Sequence, residues 1–278
     1  MKSDLSGFYE LPVEQRLSIV KKLCNLTEEE VLTLKRTSTG SLQTFDRMIE
    51  NVIRTVELPM GVATNFHING RDVLIPMSLE EPSVVAAASH AAKLCRPIGF
   101  VAEADEPIMI GQIQLIDTQP GAKEKILAAK EAIQEMANSK DSTLVRLGGG
   151  LKDIEINEHA TKRGHMTIVH LLVDVRDAMG ANAVNTMCES VAPYLEELSG
   201  GRSVLKIISN LAVYRLARAH AVWKKEDLGE EIIEGILDAY TFAEVDKFRC
   251  ATHNKGIMNG GDAVLIATGN DFRAAEAG

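Results

Sequence analysis

Apolar residues recur at helical spacing from the start of the chain. Residues 14 to 24 and 27 to 36 each gather them on one face, which predicts two short helices, and Thr27 followed by Glu30 is a capping-box signature opening the second. Leu42, Phe45, Met48, Ile49 and Val52 share a third helical face, so a helix is expected from near Ser41, carrying Glu50 and Asn51 into a turn. Pro59 and Gly61 then introduce strands. Asn69-Gly70 is a two-residue hairpin turn, and a strand from Val73 to Met77 leads to Glu80 and Glu81. The alanine-rich run VVAAASHAAKLC reads as a helix with Pro82 in its first position, which puts Glu81 at the helix N-terminus.

From Pro107 the period changes. Residues 108 to 117 read as a strand, and 121 to 138 as a helix with Ile126, Ala129, Ile133 and Met136 on one face. Strands at 151 to 158 and 166 to 174 follow, then a helix from about 178 to 199 and a strand at 203 to 209. The order βαββαβ is that of a ferredoxin-like unit, inserted here into a larger, helix-rich α+β domain. Gly200-Gly201 ends its second helix, and Pro193 marks a kink or an irregular last turn. Gly148-Gly149-Gly150 reads as a turn. Residues 210 to 220 return the chain, and Glu230 to Tyr240 predicts another helix, with Ile232, Ile233, Ile236 and Leu237 expected in the core.

Composition narrows the possibilities. A chain of 278 residues with 45% hydrophobic and 25% charged residues has core enough for a globular enzyme. A net charge of -9 argues against nucleic acid and anionic membranes as partners, so any anionic ligand must be met by local basic groups. The chain begins without an apolar signal core, and no apolar run approaches the roughly 18 to 20 residues of a membrane span, which places the protein in the cytoplasm. Cys24, Cys95, Cys188 and Cys250 have neither zinc spacing nor a disulfide pattern, and the seven histidines form no ligand cluster, so no metal is expected.

Candidate chemistry is densest in FRCATHNKGIMNGGDAVLIATGNDFRA, residues 248 to 274. Lys255 sits between Asn254 and Gly256, with Gly260 and Gly261 close by, and glycines let a backbone come near a ligand. The apolar run Ala263 to Ala267 reads as a buried strand or helix, and Asp271 follows its end, where a carboxylate can face the ammonium. A loop salt bridge beside a core element explains the same residues. Glu81 has two readings as well. The helix dipole favours an ionised carboxylate there, whereas proton donation needs burial or a neighbouring like charge. No GxGxxG opens a helix. DAMGAN at 177 to 182 offers a substitute, with Asp177 to cap the helix and Gly180 to admit a phosphate to the exposed N–H groups; a tightly packed helix start is the alternative.

THNKGIMNG and ATGNDFRAAEAG, together with ENVIRTVELP (50 to 59), EEPSVVAAAS (80 to 89) and DVRDAMGAN (174 to 182), resemble segments of the class II, bacterial and archaeal type, hydroxymethylglutaryl-CoA reductases. The likeness runs over essentially all of the chain. It implies a substrate-binding domain at 1 to 106 and 214 to 278, with an inserted NAD(P)-binding domain at 107 to 213. It further implies reduction of 3-hydroxy-3-methylglutaryl-CoA to mevalonate and CoA, or the reverse, with NADH favoured over NADPH. By the same resemblance Lys255 stabilises an oxyanion, Glu81 supplies a proton at the aldehyde stage, and Asp271 hydrogen-bonds and tunes the pair. Ser83 and Arg249 match positions that hold the acyl carboxylate and hydroxyl, Asn259 lies in the pocket, and Glu50 and Asn51 border the CoA region. Asp177, Ala178, Met179, Gly180, Ala181 and Asn182 match the dinucleotide-binding segment. The family resemblance also implies a homodimer, or an assembly of dimers, with the active site at the subunit interface. The competing reading is a non-catalytic acyl-CoA or dinucleotide-binding fragment that keeps the fold.

Two departures from the family pattern bear on these expectations. Arg54 stands where the family's ENVIG segment has glycine, and a side chain there restricts the backbone and intrudes on the acyl-CoA path. The family also continues past the point matching Gly278, adding a segment with a histidine that protonates the departing CoA thiolate, for which this sequence has no match. The expectation is a truncated or processed chain, impaired in thioester reduction, with uncovered apolar surface beside residues 263 to 268.

Overall fold

The computed structural model describes residues 3–35, 42–53 and 55–278. Arg54 lies outside them. The chain divides into two compact units, one formed by residues up to Ala102 together with Ala219–Phe272, the other by Glu103–Arg218 together with Arg273–Gly278.

The first unit opens with a 3-10 turn at Phe8–Glu10, followed by helices α1 (Val13–Cys24) and α2 (Glu28–Lys35). The capping box forms as the sequence predicts: Glu30 Oε2 accepts from the N–H of Thr27 at 2.7 Å, and Thr27 Oγ1 accepts from the N–H of Glu30 at 3.2 Å. The third helix, α3, covers only Leu42–Phe45, and Met48 and Ile49 beyond it are exposed. Where its apolar residues stay exposed, an apolar stripe alone does not sustain the helix. Strands β1 (Met60–Ala63), β2 (His67–Ile68), β3 (Arg71–Asp72) and β4 (Ile75–Ser78) follow. β1 and β4 pair antiparallel, and the Asn69-Gly70 turn joins β2 to β3 with both residues at positive φ, 49° and 77°, as a type I′ hairpin requires. Helix α4 (Val84–Leu94) leads to β5 (Phe100–Ala104).

The second unit contains β6 (Ile108–Ile116), helices α5 (Ala122–Ala128), α6 (Lys130–Asn138) and α7 (Ser142–Arg146), then β7 (Gly150–Thr161), β8 (Gly164–Asp174), α8 (Ala181–Ser199) and β9 (Arg202–Ser209). Its sheet has the order β7-β8-β6-β9 with every neighbouring pair antiparallel, the ferredoxin-like arrangement the sequence predicts. The expected helix at 121 to 138 is broken at Ala129 into α5 and α6, and the short α7 is an addition. α8 continues through Pro193 to Gly200, which ends it at φ 65°. Twenty buried residues form this unit's core between sheet and helices, among them Ile113, Leu115, Ile133, Leu171, Val184 and Leu195. Gly111 lets α8 press onto β6: a Cβ there would lie 2.4 Å from Cys188 Sγ.

The chain returns through β10 (Ala217–Ala221) to α9 (Lys225–Leu228), α10 (Glu230–Val245), α11 (Lys247–Ala267) and α12 (Phe272–Ala277). Trp223 secures the return, donating its Nε1–H to the carbonyl of Ala91 at 3.0 Å while its ring meets the edge of Phe100. A small core of Ala63, Met77 and Ala263 joins α11 to the β1–β4 pair and α4. α10 contradicts its expected role. Ile232, Ile236 and Leu237 are more than half exposed, and of the four residues expected in the core only Ile233 is partly covered. Residues 263 to 267, by contrast, are at least half-buried, so the uncovered apolar surface lies on α10 and the first half of α11 rather than beside the end of α11. Among the described residues no helix is long and apolar enough to cross a membrane.

Candidate active site

Strand β4 ends at Ser78 and delivers Glu80 and Glu81 to the surface of the first unit, where α11 packs against the same strand. That packing brings Lys255 to Glu81: Nζ lies 2.9 Å from Oε2, and Asn259 Nδ2 donates to the same oxygen at 3.3 Å. Lys255 and Asn259 are one helical turn apart and so share a face. Both members of the ion pair are accessible, the lysine side chain 63% and the glutamate 46% exposed. A ligand can therefore reach them.

Two local expectations are corrected here. Glu81 does not sit at a helix N-terminus, because Ser83 adopts φ 72° and delays α4 to Val84. A left-handed serine is a strained position of the kind found where a side chain is held for a ligand. The alternative of a loop salt bridge does not hold for Lys255, which lies midway along a single helix of 21 residues that runs through Gly256, Gly260 and Gly261. Asp246 caps its start by accepting from the N–H of Arg249 at 2.7 Å.

A cleft of about 930 Å³ contains Glu81 and Ser83. The segment Asp4–Glu10 forms one wall, Met60–Val62 and Met77 another, and α4 the floor with Ala86, Ser89, His90 and Lys93. Lys93 and Arg16 give an acidic protein the local positive charge that an anionic ligand requires, and His90 lines the cleft beside them. Sequence reading passed over them. The signal was present in α4, where Ala86, Ser89, His90 and Lys93 recur at helical spacing. Arg249 stands on the first turn of α11, six residues before Lys255 and so on a different side of the helix. Asp271 lies half-buried just past the end of α11. Glu50 and Asn51 are exposed in the turn after α3, Asn51 at φ 59°.

The second unit has a separate cleft of about 430 Å³, lined by Ala178, Met179, Gly180, Asn182, Ala183 and Thr186 with Lys140 and Asp141. It opens at the start of α8. Asp177 does not cap that helix. The capping position is Gly180, at φ 93°, and no side chain accepts from the first N–H groups. Gly180 itself does not make room for a phosphate, since a Cβ there would point inward, 2.4 Å from Met109 Sδ and 2.8 Å from Val175 Cγ1. Its glycine character serves the left-handed turn and the core, while Asn182 and Ala183, which carry uncapped N–H groups of the first turn, line the cleft. Those N–H groups are the positive end of the helix dipole, and with Lys140 beside them the residues present fit a nucleotide phosphate. The buried carboxylate of Asp174 holds this loop from behind, accepting from the N–H of Arg176 at 3.0 Å and pairing with its guanidinium at 2.7 Å, while Arg176 also donates to the carbonyl of Gly148. The Gly148–Gly150 turn is thereby tied to the loop before α8. Among the described residues no group of three or more His, Cys, Asp or Glu side chains is placed to hold a metal ion.

Comparison with known proteins adds the family. Residues 12–278 match the sequence model of hydroxymethylglutaryl-coenzyme A reductase. A 3-hydroxy-3-methylglutaryl-coenzyme A reductase of Archaeoglobus fulgidus is 58% identical over 283 aligned positions, which take in all of this chain and 64% of that protein. The chain thus spans under two thirds of that relative's length. A 3-hydroxy-3-methylglutaryl-coenzyme A reductase structure from Streptococcus pneumoniae superimposes with a TM-score of 0.93 at 39% identity, over 98% of this chain and 67% of the other. Another, of the class II enzyme from the same organism bound to NADPH in open conformations, gives 0.90 at 38% identity, over 98% and 76%. With its sequence matched from residue 12 onward and its fold shared with the class II enzyme, the chain belongs to the hydroxymethylglutaryl-coenzyme A reductase family.

Proposed function

We propose that the protein acts in the nicotinamide-dependent reduction of 3-hydroxy-3-methylglutaryl-CoA to mevalonate and CoA, or in the reverse direction. The observation that carries this reading is the approach of Lys255 Nζ to Glu81 Oε2 at 2.9 Å, at the edge of a cleft with basic side chains. Two reductions are needed, through a hemithioacetal and an aldehyde, and a bound nicotinamide dinucleotide supplies the hydride for each. The chain's own residues handle charge and protons. Lys255 places an ammonium where negative charge develops on the carbonyl oxygen, first of the thioester and then of the aldehyde. Glu81, held between Lys255 and Asn259, hands a proton to the alkoxide formed from the aldehyde. Ser83, Arg249 and Asn259 take the acyl group, with guanidinium-to-carboxylate recognition the natural task of Arg249. Asp271 tunes the pair, and Glu50 and Asn51 border the CoA.

The cleft at α8 is the place proposed for the dinucleotide, with Asp177–Asn182 forming its phosphate-facing edge. NADH is favoured there. Asp141 lines the cleft with one oxygen already accepting from the N–H of Leu144, and a carboxylate suits a ribose hydroxyl better than a 2′-phosphate. We place the protein in the cytoplasm as a homodimer, or an assembly of dimers, to which the exposed apolar residues of α10 lend support.

The test is stoichiometry and product. The full-length protein should oxidise two equivalents of reduced nicotinamide per mevalonate formed, only when the acyl-CoA is present, and with NADH ahead of NADPH in kcat/KM. A free acid or a transferred acyl group without cofactor oxidation, or ligand-induced stabilisation without turnover, would overturn the proposal.

A further inference from the structure

One wall of the larger cleft is held by a device remote from the reacting groups. After Ser3, the segment Asp4–Glu10 has no fully buried residue, and the following α1 has none either. Hydrophobic burial therefore does not fix its place. Ser3 does. It is fully buried, and each of its polar groups is engaged: its N–H donates to Asp72 Oδ2 at 3.0 Å, its carbonyl accepts from the N–H of Asn65 at 2.8 Å, and its hydroxyl donates to the carbonyl of Phe66 at 2.8 Å. The same hydroxyl accepts from Arg96 Nη1 at 3.1 Å.

Arg96 and Asp72, which lie far along the chain from Ser3, hold this anchor together. Arg96 Nη2 reaches both oxygens of Asp72, at 3.0 and 3.1 Å, and Nη1 also donates to the carbonyl of Asn65 at 2.7 Å. His67 Nδ1 adds a contact to Asp72 Oδ1 at 2.7 Å. With Nη2 shared by both oxygens of Asp72 and Nη1 given to Ser3 and Asn65, one guanidinium ties three groups together through charge-assisted bonds. Asn65, held at φ 69°, carries the constraint onward, because its side-chain amide donates to the carbonyl of Ser89 on the cleft floor. Wall and floor thus share one hydrogen-bonded frame, which touches neither Glu81 nor Lys255 in any of these bonds.

We infer that Asp72 and Arg96 are positioning residues for acyl-CoA recognition: through Ser3 they hold Asp4–Glu10 as a fixed wall of the cleft containing Glu81 and Ser83. The inference rests on the proposed function for the identity of the ligand, and it assigns these residues to affinity rather than to the chemical step. A purely stabilising cluster would behave differently, lowering resistance to denaturant without selecting one ligand.

The test uses Ser3→Ala and Arg96→Gln in the full-length protein, with coenzyme A as the probe for calorimetry and the acyl-CoA as substrate for kinetics. Both variants should weaken coenzyme A binding and raise the acyl-CoA KM by about tenfold, with kcat within about threefold and the nicotinamide KM unchanged. Hydrogen exchange of the amides at 4 to 10 should quicken in parallel. Variants that lose stability yet keep the parent's affinity for coenzyme A and its acyl-CoA KM would overturn the inference, as would a parent that binds no coenzyme A. Ser3→Ala removes only a hydroxyl, so it carries the test if Arg96→Gln fails to fold. A parent that binds coenzyme A but does not oxidise cofactor defeats the proposed reaction while leaving the anchor to be judged on binding and exchange.

Discussion

Replacing Lys255 with alanine separates the catalytic reading of the Lys255–Glu81 pair from a structural one. In the structure the two side chains meet at 2.9 Å, yet they are 63% and 46% exposed. An ion pair so open to water and salt contributes at most about 1 kcal/mol to folding. Glu81 also keeps its second donor, Asn259 at 3.3 Å, so no carboxylate is left buried and alone. Loss of the ammonium should therefore change unfolding free energy by no more than about 1 kcal/mol. The rate should change far more. An ammonium stabilising an oxyanion is comparable to one oxyanion-hole donor, for which removal costs about 2.7–4 kcal/mol, or on the order of 10²- to 10³-fold in kcat. The assay pairs denaturant unfolding with steady-state turnover of acyl-CoA at saturating cofactor, and adds a titration of cofactor binding, which should barely move. Turnover within about threefold of the parent would make Lys255 a surface partner of Glu81 and remove the basis for the proposed function. A loss of stability large enough to explain the lost rate would do the same.

Two other perturbations report on the scaffold. Gly180→Ala forces a side chain into φ 93° and within 2.4 Å of Met109 Sδ, which together should cost roughly 2–6 kcal/mol and loosen the start of α8; unfolding of the variant within about 0.5 kcal/mol of the parent would contradict this account. Asp72 gives an acid-side signature. Burial on its own would raise its pKa, but the bonds from His67, the N–H of Ser3 and Arg96 outweigh it and hold the carboxyl at about 2, below an ordinary 3.8. Because the folded value is the lower one, the stabilisation is complete above about pH 4 and is lost as pH falls toward 2. Stability measured over that window should fall less steeply in Asp72→Asn than in the parent, and equal slopes would show that the carboxylate is not responsible.

Much of this architecture was written in local patterns. The ferredoxin-like unit was legible because its strands alternate, Thr167, Val169, Leu171 and Val173 buried and Ile168, His170 and Leu172 between them only partly covered, and because glycines mark its ends. The capping box at Thr27 and the hairpin turn at Asn69-Gly70 depend on neighbours in sequence and formed as expected. Features set by distant contacts were not legible. Pro82 reads as a helix start, but Ser83 is held left-handed and shifts the start to Val84. Three glycines argue against a continuous helix at 256 to 261, yet packing of Ala263 on Ala63 and Met77 and the cap at Asp246 carry α11 through them. The apolar residues of α10 were expected in a core because composition does not say which surface covers them. Of the candidate site, the motifs supplied Glu81, Lys255 and Asn259, which the fold brings into contact. They gave no hint of Ser3, Asp72 and Arg96, whose association is entirely one of tertiary placement.

The continuity of α11 has a dynamic consequence. A helix-interior glycine costs roughly 0.5–1 kcal/mol relative to alanine, so Gly256, Gly260 and Gly261 together make the middle of α11 about 1.5–3 kcal/mol easier to open, a factor of about 10 to 150 in the open population. A Cβ at Gly256 or Gly260 would meet no atom within 4 Å, so packing does not require glycine at either position. The turn that carries Lys255 and Asn259 is therefore the softest stretch of the helix, while the turns after Ala263 are pinned to the sheet. Lys255 stands on a segment that can yield and re-form around a ligand without disturbing the end of the same helix.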